Sequence, residues 1–90
     1  MDSKFKVSRE ILFFSFRYAL NRSSMANIIV MDNIKSNIDI ISTEDIKAYI
    51  KEINECEYFG MDMDKRSWFN FVKYLENELE IRDYEKLRID

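Results

Sequence analysis
The sequence predicts an all-α fold, a single domain over residues 1–90 built of about four helices with short connections. Three observations carry that expectation. Apolar residues recur at i, i+3, i+4 and i+7 in the second half of the chain, the spacing of one helix face. Hydroxyl or carboxylate residues suited to cap a helix N-terminus stand before the apolar segments. No repeat, low-complexity stretch or Pro/Gly/Ser-rich linker divides the chain, so it reads as one unit.

The first helix is expected from Ser8, as N-cap, to about Asn21. Ile11, Leu12, Phe14, Phe16, Tyr18, Ala19 and Leu20 leave only Glu10, Arg17 and Asn21 as a polar stripe, so protein should surround most of this helix. Residues 21–24 then offer Asn21 as a left-handed C-terminal residue and Ser23 or Ser24 as the next cap, a tight corner between helices. Residues 25–38 favour a helix, because Asn27, Asp32, Asn33, Lys35 and Ser36 do not alternate as they would in a strand. The β-branched stretch at 27–31 also allows a strand, since its apolar positions share no helix face. Ser42 or Thr43 caps a third helix, with Glu44 and Asp45 at the positive end of its dipole and Ile46, Tyr49, Ile50 and Ile53 as its stripe. Gly60 reads as the residue that takes a positive φ where this helix stops. Asp62 or Asp64 caps the last helix, whose stripe is Trp68, Phe71, Val72, Leu75 and Leu79. Phe69, about 100° from Trp68, is expected to be half-buried. Apolar density falls toward the end, and residues 1–7 and 81–90 are expected to fray.

With 47% apolar and 14% aromatic residues the chain is too apolar to be disordered, and its length buries one modest core. The apolar runs ILFF and NIIVM fall far short of the roughly 20 residues that cross a bilayer. The N-terminus MDSKFKVSRE has no secretory pattern, so a cytoplasmic location without membrane attachment is expected. A lone Cys56 and the lack of histidine argue against a disulfide or a zinc site. Counted from Asp62, a calcium loop would need oxygen ligands at positions 5 and 12 and Gly at 6, where Arg66, Lys73 and Ser67 stand. Cys56, Ser23 and Ser24 have no histidine to activate them, and a single glycine excludes a Gly-rich phosphate loop. No enzymatic activity, metal or cofactor is expected.

The net charge of −3 is unevenly spread. Near the N-terminus Lys4, Lys6, Arg9, Arg17 and Arg22 outnumber Asp2 and Glu10, whereas Glu52, Glu55, Glu57, Asp62 and Asp64 gather at the end of the third helix and the turn after it. Carboxylates there oppose the helix dipole. They form either a plain solvated face or a surface that meets the basic residues of a nucleic-acid-binding protein. The overall acidity argues against direct nucleic-acid binding, for which the N-terminal basic set is the alternative surface. Arg17 and Arg22 would lie about 140° apart on a continuous helix. They read as structural, one lying along apolar surface and one capping helix carbonyls, or as an anion-binding pair brought together by the corner.

The stretch FRYALNRSSMA resembles a pattern in small proteins encoded by phages and prophages of low-GC Gram-positive bacteria, a source that the abundant Ile and Asn also suit. There an aromatic-Arg-Tyr-Ala-Leu run is followed by Gly-Arg, a hydroxyl residue, an aromatic and Ala. Arg17, Tyr18, Ala19, Leu20, Arg22, Ser24 and Ala26 match, while Asn21 replaces the Gly and Met25 the aromatic. GMDMDKRSWFNFVKYL is similar to the closing segment of these proteins. The resemblance implies that Arg17, Tyr18, Asn21, Arg22 and Ser24 form a structural corner. It also implies a non-enzymatic protein that inhibits a bacterial host protein, such as a CRISPR or restriction defence effector; on the charge reading above, Glu52, Glu55, Glu57, Asp62 and Asp64 would then be the contact. The alternatives are a nucleic-acid-associated accessory protein using Lys4, Lys6, Arg9, Arg17 and Arg22, and a subunit that homodimerises or assembles into a virion.

Overall fold
The computed structural model describes residues 8–20, 26–56 and 62–88, and among them every regular element is helical. Helix α1 spans Arg9–Leu20, α2 Ala26–Ser36, a 3-10 turn Ile38–Ile40, α3 Thr43–Glu55 and α4 Asp62–Arg88. Local chemistry sets the starts. The Ser8 hydroxyl accepts the Ile11 N–H at 3.2 Å and its carbonyl accepts the Leu12 N–H, so Ser8 caps α1. Ser42, and not Thr43, caps α3, accepting the Asp45 N–H at 3.1 Å from an extended backbone.

The strand alternative at 27–31 is overturned, because that stretch lies inside α2. A helical face exists there after all. Asn27, Val30, Met31 and Ile34 are buried at i, i+3, i+4 and i+7, while Ile28 and Ile29 point outward. A buried Asn beside two exposed Ile reverses the polarity that a sequence pattern relies on. The helix stops at Ser36, short of Ile38, where the Asn37 amide turns back to donate to the Asn33 carbonyl at 2.7 Å. Helix α3 also stops early: Cys56 is already extended, with φ −73° and ψ 128°, and Gly60 lies outside the described residues.

The core forms where the four helices meet, around Phe16, Ile34, Ile46, Tyr49, Ile53, Trp68 and Leu75. Its aromatic rings form one chain of contacts. Phe13 stacks on Tyr49 with centroids 4.6 Å apart, Phe16 stands edge-on to both Tyr49 and Trp68, and Trp68 leads on through Phe71 to Tyr74. Cations lie at both ends: Lys35 over Tyr74 at 5.0 Å, and Arg9 and Arg17 over Phe13 at 5.4 and 5.7 Å. Trp68 Nε1 is buried with no acceptor among the described residues, a penalty of about 1–3 kcal/mol accepted within the packing of the ring. Ile50 and Leu79, the remaining stripe positions, are half-buried against the core, and Phe69 is 37% exposed. The tail does not depart from the helix, since α4 runs on to Arg88.

Candidate protein-contact surface
Helix α1 is apolar on two opposite sides. Leu12, Phe16, Ala19 and Leu20 face the core, whereas Ile11, Phe14 and Tyr18 keep 58%, 74% and 53% of their surface exposed. Those three stand at i, i+3 and i+7 and therefore form one stripe along the outer face. Ser15, beside the stripe, donates its hydroxyl to the Ile11 carbonyl at 2.8 Å, which satisfies its polar group within the helix.

The flank of α1 that turns toward α3 is built of Arg9, Phe13 and Arg17, each one turn from the next. Arg9 Nε donates to Asp45 at 2.7 Å, and Arg17 donates to Glu52 through Nη2 at 2.8 Å, so two ion pairs join α1 to α3 on either side of Phe13. The hydrogen bond to Asp45, and then its charge, raises Arg9 above its ordinary pKa. The Tyr49 hydroxyl beneath is pushed up to about 12, mainly by burial and secondly by the charge of Asp45, with Arg9 partly offsetting both. A groove of about 650 Å³ opens over this flank, with Phe13, Phe14 and Tyr18 on one side and Ala48 of α3 on the other. The small Ala48 side chain leaves that wall low.

This arrangement redistributes the residues marked out by sequence. Glu52 is engaged inside the molecule by Arg17, while Glu55 is exposed in the last turn of α3, a turn that holds no basic residue. Glu57 and the side chains of Asp62 and Asp64 lie outside the described residues, as do Asn21, Arg22 and Ser24 of the corner motif and Lys4 and Lys6 of the basic set. Of the cations proposed to meet nucleic acid, Arg9 is ion-paired with Asp45 and Arg17 with Glu52. Tyr18 belongs to the exposed stripe and not to the core. Among the described residues no group of three or more His, Cys, Asp or Glu side chains is placed to hold a metal ion.

Phe14 and Asp45 were given no contact role by sequence reasoning. The available signals were the outward i, i+3, i+7 repeat within an all-apolar helix and the matching two-turn spacing of Arg9/Arg17 and Asp45/Glu52. Comparison of the chain with protein-family models, with curated proteins and with solved structures finds no match. Among the described residues no helix is long and apolar enough to cross a membrane. Fold and surface together define a small all-α domain with an exposed apolar helix face.

Proposed function
We propose that this chain works by holding another protein and not by catalysis, and that it is a phage-type inhibitor of a bacterial host protein. One observation carries the binding reading: the stripe Ile11, Phe14 and Tyr18 is exposed on the side of α1 opposite the core. A contiguous apolar strip with aromatic members and a charged rim is what protein interfaces use. The inhibitor reading rests on the FRYAL resemblance, and Glu55 adds exposed acid that would steer the protein toward a basic partner. The nucleic-acid alternative has less support, because the chain carries a net charge of −3.

The test is capture of proteins from a bacterial lysate at low salt with the tagged full chain, its Phe14→Asp variant and its Glu55→Lys variant. Phe14→Asp is expected to lose every protein held through α1, further copies of the chain included. Glu55→Lys is expected to lose a basic host partner that rising salt also elutes. The same proteins recovered with all three baits would overturn the reading.

A further inference from the structure
The stripe on α1 has a heptad register. Ile11, Phe14 and Tyr18 fall at seam positions a, d and a, the spacing by which one helix packs along another. Glu10 and Arg17, both exposed, fall at the same flanking position of successive heptads, on the side of the stripe nearer α3. Opposite charges seven residues apart on one flank are self-complementary only under a two-fold axis perpendicular to the helix. When the helix meets an antiparallel copy of itself with Ile11 opposite the partner's Phe14, each Glu10 comes level with the partner's Arg17. A parallel pairing sets Glu10 against the partner's Ser15 and forfeits that ion pair.

We infer that α1 pairs antiparallel with α1 of a second copy of this chain, through two Ile11–Phe14 layers flanked by two Glu10–Arg17 pairs. The inference rests on the reading of α1 as a protein-contact face and names what covers it. Glu52 is no obstacle to the flanking pair. The Arg17 side chain is 61% exposed while bonded to Glu52, so its charge stays open to a second carboxylate at the surface. The groove over Phe13 and Ala48 opens on the same flank and leaves the partner's polar side chains room. Three seam residues fall short of the roughly 800 Å² per partner of a standard interface, so the pairing depends on concentration and is not permanent.

Sedimentation of the full chain over a range of micromolar concentrations tests this. A monomer–dimer equilibrium is expected, and Phe14→Asp should weaken it by more than about tenfold with an unchanged helical circular dichroism spectrum. Glu10→Lys alone and Arg17→Glu alone should each favour monomer by setting like charges together. Mixing those two variants should restore dimer, because both flanking pairs then have opposite signs, a rescue that a change in fold would not produce. A chain that is monomeric at every concentration, a dimer that Phe14→Asp leaves intact, or a mixture that stays monomeric would overturn the inference. A monomer whose Phe14→Asp variant still loses a host protein would overturn the dimer alone and leave the binding reading standing.

Discussion

Tyr49 joins the core to the surface. Its ring lies between Phe13 and Phe16, and its hydroxyl, pushed up to about 12, keeps its proton in the folded state at pH values where the unfolded chain would lose it. The stability linked to that proton is fully present below about pH 10, the value for an unfolded tyrosine. It is lost as pH rises through the folded value of about 12. Urea denaturation across that window should therefore show a falling midpoint for the protein and a flatter profile for Tyr49→Phe, which keeps the ring and removes the titrating group. Parallel profiles would contradict the assignment. Tyr49 was legible in sequence as a member of a buried stripe, whereas Phe16 was not distinguished from Ile11, Phe14 and Tyr18, which the structure leaves exposed. The Arg9–Asp45 and Arg17–Glu52 pairs were not, because contacts between residues about 35 positions apart depend on how two helices dock and not on local spacing.

At the scale of elements, Arg82 ties the end of α4 to the start of α3. Its Nε donates to Glu78 at 3.0 Å, Nη1 to the Thr43 hydroxyl at 3.1 Å and Nη2 to the Ile38 carbonyl at 2.7 Å, so one side chain holds α4, α3 and the 3-10 turn. Arg82→Ala should lower stability by about 1.5–3 kcal/mol, the range for hydrogen bonds to a charged group. Lysine should not restore it, since a single ammonium lacks the planar fork. Chemical denaturation of the two variants measures this, and a wild-type midpoint for Arg82→Lys would show that the fork is dispensable. In the sequence, the same tail is marked only by falling apolar density, and a polar anchor leaves no periodic trace. Helix α2 hid its face for a related reason: Asn27 is buried where an apolar residue would be looked for, and Ile28 and Ile29 are exposed where polar ones would be. By contrast α3 and the first half of α4 read directly, since apart from Asp45 their buried residues are apolar and fall at helical spacing.

Over the whole molecule, six aromatic rings run in contact from Phe13 to Tyr74 with cations at either end, so the apolar groups that stabilise the domain are largely accounted for without the outer face of α1. That surplus is the physical basis for reading α1 as a contact surface. The sequence already showed that α1 was apolar nearly all round. It could not show that one of its two apolar sides would be left outside, because that depends on how many helices surround it. A photo-crosslinking residue placed at position 14, in the protein produced in bacterial cells, tests the central claim most directly when compared with the same residue at Glu76, exposed on α4. The expected result is a covalent adduct to protein at position 14 and none at position 76, with the adduct's mass naming the occupant as a second copy or a host protein. An absence of adduct at position 14, or equal yields at the two positions, would contradict it.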